Sequence, residues 1–280
     1  MSRQTLTETE AISTEKAKHV PHRWRNLAVI TGAEVVDNTE SGLINTLYPA
    51  IAASLRLDNG HLGLMSALGK FAAIPFGPLW VWFAEKWGRK QALVANNIVG
   101  AVLGIMAGTS QDFMQLLIWN TLLAGVVAAG QPITNSIIAD SFDDKARARA
   151  TGFYYGILTA VASFIGPLLA LFSGSPDGWR YAMWVIGGIC ALSSILISAF
   201  YIEPGLGASE AALADLREEQ RARKVTVRGV LALFRIPTFS IMMLSRLLSG
   251  HLLISIFGIQ FLFAERGFDN VSAALVLIPF

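Results

Sequence analysis

Three acidic residues lie close together in an apolar stretch, 26–55, near the start of the chain. Glu34, Asp37 and Glu40 could bind a cation or take up protons, because the charge on a carboxyl group in apolar surroundings depends on its neighbours. At about 3.6 residues per turn, the first two lie on one helical face with further polar side chains, and Glu40 lies near its edge. These further residues are Asn38, Ser41, Asn45 and Tyr48.

The polar stripe has two interpretations. In a soluble protein it would be the solvent-exposed polar face of an amphipathic helix, and this interpretation would be favoured if the apolar stretch stood alone. Several further apolar stretches follow, however. An ionisable side chain at membrane depth costs about 3 kcal/mol on insertion scales, so it usually faces a bundle interior or a watery cavity. The stripe therefore predicts a polar path through a membrane protein.

Basic residues and a histidine occur in other apolar stretches. Lys70 lies at the centre of 61–83, and a rise of about 1.5 Å per residue puts it at the depth of the acidic residues in an antiparallel helix pair. It is predicted to pair with their carboxyl groups as a structural counter-ion, or to contact a substrate. Arg246 would face the same cavity or extend to the inner interface. His251 could relay protons or bond to a neighbouring helix.

Polar side chains in the fourth and fifth apolar stretches are candidates for the lining of the same cavity. They are Gln131, Asn135, Tyr154, Tyr155 and Thr159. Hydrogen bonds between helices would explain these residues nearly as well as contacts with a solute. The stretches themselves must be membrane helices for either interpretation to hold.

The composition supports membrane helices. The 280 residues are 53% hydrophobic and 15% charged, with a mean hydropathy of +0.51, which predicts an all-α membrane protein of several spans. A net charge of +2 gives no reason to expect a nucleic-acid partner. The single cysteine, Cys190, excludes an internal disulfide and a cysteine-based metal cluster. No phosphate loop, metal-ligand cluster or nucleophile-base arrangement occurs, so we expect neither an enzyme nor a cofactor or metal.

The alternation of apolar and charged stretches divides the chain into four parts. Residues 1–25 form a polar tail, 26–201 a six-helix bundle, 202–230 a charged linker, and 231–280 a seventh helix with the start of an eighth. The predicted helices of the bundle are 26–55, 61–83, 91–109, 113–139, 150–172 and 179–201. The eighth apolar run is shorter than the roughly 20 residues that a membrane-spanning helix needs.

Basic residues predict the orientation, because they accumulate on the cytoplasmic side of membrane proteins. The basic residues on one side are Arg23, Arg25, Lys86, Arg89, Lys90, Lys145, Arg147, Arg149, Arg217, Arg221, Arg223, Lys224 and Arg228, against Arg56, Arg180 and Arg266 on the other. The tail and the linker are therefore expected in the cytoplasm. The tail has no cleavable signal peptide, so we expect a multi-pass protein of the cell membrane.

Short glycine motifs predict close helix contacts. Gly100, Gly104 and Gly108 recur at every fourth residue of the third helix, which lets a neighbouring helix approach. This row is expected to serve packing rather than function.

The segment between the second and third helices, 84–90, contains an acidic residue, a basic residue, a glycine and a basic pair, namely Glu85, Lys86, Gly88, Arg89 and Lys90. This tight basic loop resembles the signature loop of the major facilitator superfamily. Glu85 replaces the usual aspartate, and Val81 replaces an early glycine. The resemblance implies a cytoplasmic charge latch that holds one access state; the alternative is that these charges only set the topology.

Two other motifs are similar to elements of this family. Gly166-Pro167 resembles a glycine-proline element of the fifth helix and is expected to serve close helix packing, and Gly178-Trp179-Arg180 resembles the turn into the sixth. Six helices, a long charged inner loop and further helices are typical of carriers built from two six-helix halves. The resemblance therefore implies an N-terminal half followed by the start of a C-terminal half.

The expected function is secondary active transport of a small organic solute by alternating access, driven by protons or another ion. Its partners would be the lipid bilayer, the solute and the coupling ion. The alternative is a truncated, non-transporting membrane protein or a half-carrier that depends on a partner, because the chain ends at Phe280 inside a predicted helix.

Overall fold

The structure is a computed structural model that describes residues 20–204, 232–247 and 251–277. Most of the predicted tail and of the predicted linker lies outside these residues. The helices are α1 Arg23–Leu55, α2 Asn59–Trp87, α3 Arg89–Gly108, α4 Phe113–Val127, α5 Gly130–Ser141, α6 Asp144–Ala170, α7 Gly178–Phe200, α8 Pro237–Leu247, α9 His251–Arg266 and α10 Asn270–Val276. Within the described ranges there is no β-strand, so the all-α prediction is confirmed.

The helix bounds agree with the sequence prediction to within a few residues, with two exceptions. The fourth predicted helix is divided into α4 and α5, which are separated by Ala128 and Ala129. The fifth begins earlier than predicted, because residues 144–149 of the charged loop already belong to α6. The acidic residue at the start of α6 suits the positive end of the helix dipole, which explains this early start.

Five segments of the described chain are long and apolar enough to cross a membrane: α2, α3, α4 with α5, α6 with its short 3₁₀ extension, and α7. The polar helix α1 is not among them. It packs against α3, α4, α5, α6 and α7, and also against α9 and α10. The apolar helices thus surround the helix that carries the acidic residues.

The outward faces of the surrounding helices are apolar. Phe71 and Ile74 of α2 are both 67% exposed, and Phe164 of α6 and Ile195 of α7 are exposed as well. Large apolar side chains on an outer surface are costly in water and favourable against lipid. These faces therefore fit a bundle that lies in a membrane.

A single residue joins α2 to α3. Gly88 has a φ of 97° and a ψ of 151°, and its N–H donates to the carbonyl of Ala84. A side chain with a Cβ rarely adopts this backbone conformation. A Cβ at this position would also lie 2.6 Å from Oε1 of Gln91. The tight basic loop that the sequence predicts is therefore one glycine between two helices.

The turn between α1 and α2 is capped by Asp58. Its Oδ1 accepts a hydrogen bond from the main-chain N–H of His61 at 3.1 Å, which satisfies one of the free donors at the start of α2. The hydrogen bond with the His61 side chain holds the pKa of the Asp58 carboxyl below its usual value.

Helices α9 and α10 meet the bundle near this same turn. Nε2 of Gln260 donates to Oδ1 of Asn59 at 2.8 Å, and Nδ2 of Asn270 donates to the carbonyl of Thr46 at 3.2 Å. The ring of Phe257 lies 3.8 Å from the position of a Cβ at Gly63. These contacts join the seventh and eighth helical segments to α1 and α2 on the side opposite Gly88.

We expect the variant Gly88→Ala to unfold at a lower temperature than the wild type. A Cβ at this φ and ψ strains the backbone by about 1–3 kcal/mol, and it also displaces Gln91. Thermal unfolding of the purified protein in detergent measures the loss. The control is Gly152→Ala in α6, where a Cβ meets nothing within 4 Å. Alanine favours a helix by up to about 1 kcal/mol, so an equal loss in both variants would contradict the prediction.

Candidate functional site

The three acidic side chains of α1 are each 3% exposed; Glu34 points to one part of the bundle, and Asp37 and Glu40 point to another. Glu34 lies between α5 and α6. Its Oε1 accepts a hydrogen bond from the Thr134 hydroxyl at 3.0 Å, and the Tyr154 hydroxyl lies 3.4 Å from Oε2. A Cβ at Gly130 would lie only 2.6 Å from Oε1, so the absence of a side chain there leaves room for the carboxylate.

Asp37 faces α7 and α3. Its Oδ1 lies 3.3 Å from Sγ of Cys190, which also lies 3.3 Å from the main-chain oxygen of Asn97. The side-chain oxygen of Asn97 accepts a hydrogen bond from the hydroxyl of Ser193. A buried polar network therefore connects the middle of α1 to both neighbouring helices.

Glu40 lies against the glycine row of α3. A Cβ at Gly104 would lie 2.0 Å from its Oε1, and a Cβ at Gly100 would lie 3.3 Å from its Oε2. At Gly108 the side chain that takes up the space is Trp184 of α7. The predicted packing row thus makes room for a carboxylate as well as for a neighbouring helix. Within the described ranges, neither carboxylate oxygen of Glu40 has a nitrogen or oxygen donor as a hydrogen-bond partner.

The other polar residues of the predicted stripe do not continue this network. Asn38 and Asn45 are half-buried, and Ser41 is exposed. The Asn38 amide donates to the main-chain oxygen of Glu34, and the Ser41 hydroxyl donates to that of Asn38, so both bonds stay within α1. The expected single polar path is therefore divided into a buried acidic part and a more open part. The reason is that α1 contacts different helices at successive turns.

Lys70 does not join the acidic residues. Its side chain is exposed, and it forms no ion pair among the residues that the structure describes. The predicted pairing with Asp37 or Glu40 is therefore not observed. The argument from equal depth did not establish that the two helices are neighbours: α2 has no extensive contact with α1, and Lys70 is exposed.

The candidate lining residues of the fourth and fifth spans are mostly exposed. Nδ2 of Asn135 lies 3.0 Å from the hydroxyl of Tyr155, and the Thr159 hydroxyl donates to the main-chain oxygen of Tyr155. Gln131 is exposed, whereas Tyr154 is buried against Glu34. Asn135 and Tyr155 thus form a polar pair on an open surface between α5 and α6.

Two further candidate site residues belong to the described helices α8 and α9. Arg246 lies in α8 and His251 is the first residue of α9. Their side chains lie outside the described residues, so their predicted roles stay predictions.

The basic loop contains one buried ion-pair network. Arg89 is 6% exposed, and its Nη1 lies 2.6 Å from Oδ2 of Asp140 and 3.0 Å from the Ser136 hydroxyl. Its Nε lies 3.5 Å from Oε1 of Glu203, which also accepts the Arg89 main-chain N–H. The start of α3 is thereby connected to the end of α5 and to the segment that follows α7.

The other charged residues of this loop lie outside that network. Glu85 is exposed and forms no ion pair within the described ranges. Lys86 is exposed and places its Nζ over the rings of Trp82 and Trp87, 5.1 Å and 4.5 Å from their centroids. Lys90 is half-buried. Arg89 therefore pairs with two acidic partners from distant segments, and the latch role expected for Glu85, Arg89 and Lys90 stays a prediction.

Sequence reasoning missed Asp140 and Glu203 as partners of Arg89. A signal was present, because each residue comes at the cytoplasmic end of a predicted helix, at the same membrane level as the loop. It also missed a role for Arg180 at the opposite end. Arg180 donates to the main-chain oxygens of Gly108 and Ser110, and so stabilises the free carbonyl groups at the end of α3.

The glycine-proline element packs differently from the expectation. A Cβ at Gly166 would meet nothing within 4 Å, so this glycine does not mark a close helix contact here. Pro167 and Phe164 lie on an apolar surface of α6 that faces Val271 and Leu275 of α10. The element therefore lies where α6 meets the eighth helical segment.

The family model described as Major Facilitator Superfamily matches residues 32–280. The chain belongs to this family. Among curated relatives, a Caenorhabditis elegans protein named as a transporter, svop-1, is 24% identical over 80% of this chain and 43% of its own length. The multidrug resistance protein MdtG of Salmonella paratyphi A is 26% identical over 77% of this chain and 54% of its own length. The chain thus spans about half the length of these relatives.

Solved structures of carriers share the fold. A bacterial homologue of the human lysosomal transporter Spinster, in an inward-facing and unoccupied conformation, superposes with a TM-score of 0.73 at 23% identity, over 92% of this chain and 59% of that chain. A D-xylose-proton symporter gives a TM-score of 0.69 at 16% identity, over 90% of this chain and 64% of that chain. Both agree with the architecture of a first six-helix bundle followed by the start of a second.

Arg89 is expected to be the most sensitive charge in the basic loop. In Arg89→Gln, Asp140 and Glu203 lose a buried cationic partner, which should lower the free energy of unfolding by about 1–3 kcal/mol. Urea or thermal unfolding in detergent measures this loss. The matched control is Lys90→Gln, which removes the adjacent charge and should change stability by no more than about 0.5 kcal/mol. Equal effects of the two substitutions would show that Arg89 has no special structural role.

Proposed function

We propose that this chain is part of a secondary active carrier that moves a small organic solute across a membrane by alternating access, coupled to protons or another cation. The observation that carries the proposal is the set of three buried carboxyl groups at the middle of α1. This helix lies at the centre of a bundle whose family relatives include proteins named as transporters.

The surroundings of the acidic residues support ion coupling. Among the described residues, no lysine or arginine lies within 4 Å of the carboxyl oxygens of Glu34, Asp37 or Glu40. An unpaired charge at this depth costs about 3 kcal/mol or more. A proton or a cation that binds these groups removes that cost, and its release restores it. The free energy of the bundle thereby depends on ion occupancy, which is the requirement for coupling.

The more open polar residues are our candidates for contact with the solute. Ser41, Asn38 and Asn45 are less buried than the acids on the same helix, and the Asn135–Tyr155 pair is exposed. Lys70 is also exposed at membrane depth, where an ammonium group needs a partner. We propose Arg246 and His251 as the contribution of the second half. Carriers of this architecture bind solutes between the two halves.

The contacts of Arg89 support a proposal about which parts of the carrier move together. Because Arg89, Asp140 and Glu203 all belong to the six-helix bundle or its end, their contacts stabilise that bundle as one rigid body. Glu85 and Lys86 remain exposed at the same end. We therefore propose that these two exposed charges contact the other half during gating, while Arg89 maintains the shape of the first.

The proposed location is the cell membrane, with the N-terminus in the cytoplasm. The basic loop around Gly88 would then lie inside, and the Asp58 turn, where α9 and α10 contact the bundle, would lie outside. Contacts between the halves on the outer side fit a conformation that is open to the inside.

The test is solute-driven proton flux in proteoliposomes that contain the carrier of which this chain is proposed to be a part and a trapped pH-sensitive dye, screened with a panel of small organic solutes. In Asp37→Asn we expect the flux to fall at least about tenfold, because the substitution removes a proposed ion-binding charge. The control is Thr31→Val on the same helix, whose buried hydroxyl bonds only to the main-chain oxygen of Leu27. Wild-type flux in Asp37→Asn would remove Asp37 from the site, provided that both variants insert in equal amounts.

A further inference from the structure

Two of the acidic residues meet the single cysteine of the chain at one point of the bundle. A carboxylate oxygen of Asp37, a carboxylate oxygen of Glu40 and Sγ of Cys190 all lie within 4.8 Å of one another, and all three residues are buried. Asp37 and Glu40 come from adjacent turns of α1, whereas Cys190 comes from the middle of α7. Their convergence depends on the packing of α1 against α7.

The Glu40 carboxylate gives a second, independent indication of a bound ligand. Both of its carboxylate oxygens are buried, and no nitrogen or oxygen donor of the described residues lies within hydrogen-bond distance of them; the donor group beside them is the Cys190 thiol. A buried polar group in this condition costs about 1–3 kcal/mol, and more if it is charged, so it needs a physical explanation. A Cβ at Gly100 would meet Glu40 Oε2 at 3.3 Å and Cys190 Sγ at 3.9 Å. The unpartnered carboxylate and the thiol therefore border the same point on α3.

We propose that Asp37, Glu40 and Cys190 bind one divalent transition-metal ion of the zinc class. Thiolate and carboxylate together suit Zn²⁺, which binds sulfur at about 2.3 Å and carboxylate oxygen at about 2.0–2.2 Å. Mg²⁺ and Ca²⁺ favour sets of oxygen ligands, so the sulfur selects against them. The main-chain oxygen of Asn97, 3.3 Å from Sγ, is a candidate fourth ligand.

The distances require only small side-chain movements. Ligand atoms around a tetrahedral zinc ion are about 3.3–3.8 Å apart, given the usual bond lengths. The Asp37 oxygen and Cys190 sulfur are already 3.3 Å apart. The Glu40 carboxylate must approach them from its position against Gly100 and Gly104, where no side chain of α3 stands in its way.

Metal binding also offsets most of the buried charge. The ion displaces the proton of the Cys190 thiol, and its two positive charges reduce the combined charge of the thiolate and the two carboxylates from −3 to −1. The sequence predicted no metal site, because one cysteine cannot form a cysteine-based cluster. A mixed site needs only one cysteine, with the other ligands supplied by another helix.

This inference rests on the proposed function only in that Asp37 and Glu40 belong to both. Binding can be measured without transport, so the two proposals fail separately. Loss of metal binding with intact proton flux would overturn the metal site alone. Metal binding in this chain, together with no solute-driven flux in the carrier of which it is proposed to be a part, would support the site and count against the carrier function.

The experiment uses the purified 280-residue chain in detergent, freed of metal with a chelator and then titrated with Zn²⁺ or Co²⁺ alone. We expect one bound ion per chain by elemental analysis after desalting. Bound Co²⁺ should show a thiolate-to-metal charge-transfer band in the near ultraviolet. Cys190→Ser should abolish this band, and Glu40→Gln should weaken binding by at least about tenfold.

The matched control is Glu34→Gln, which removes a buried carboxyl group of the same helix outside the three ligands. It should retain the cobalt band and the wild-type affinity. The melting temperature adds a measurement on folded protein, because an ion that binds only the native state raises it in the wild type and not in Cys190→Ser. The site would be overturned by a folded wild-type chain without bound metal, or by equal binding in the wild type and Cys190→Ser.

Discussion

The burial of three carboxyl groups in one helix is the constraint on which this structure depends. Glu34, Asp37 and Glu40 would be too costly on a lipid-facing surface, so α1 must be enclosed by other helices. Enclosure in turn requires room for each carboxylate. Gly130 provides that room at Glu34, and Gly104 provides it at Glu40, while hydrogen-bond donors from α5, α6 and α7 satisfy Glu34 and Asp37. The glycines thus provide the space that the buried carboxylates of α1 need.

Two arginines stabilise the helices around α1 at opposite ends. Arg89 connects the start of α3 to the end of α5 and to the segment after α7. Arg180 binds the carbonyl groups that end α3. Both make their contacts within the first six spans or the segment that directly follows them, so these contacts support the proposal that the six spans move together against α9 and α10. In alternating access such rigid-body motion opens one side of a carrier while the other closes.

The sequence predicted much of the fold, because hydropathy and charge act locally. The all-α architecture, the approximate bounds of the spans and the single-glycine turn at Gly88 were all accessible in this way. The partners of individual side chains were not. Lys70 is exposed and forms no ion pair among the described residues, and a Cβ at Gly166 would meet none of those residues within 4 Å, because depth and residue type do not determine which helix is the neighbour. Arg89 found partners about 50 and 114 residues away rather than within its own loop.

What the sequence determined by itself is the set of helices, their order and the presence of costly polar groups within them. It did so because helical periodicity and the cost of burying charge are properties of short segments. Only the tertiary structure decided that Ser41 is exposed whereas Asp37, one turn earlier, is buried against Cys190. It also decided that a lone cysteine meets two carboxylates. Which side chains contact one another depends on how whole helices rotate and pack, and this is a property of the bundle rather than of any one segment.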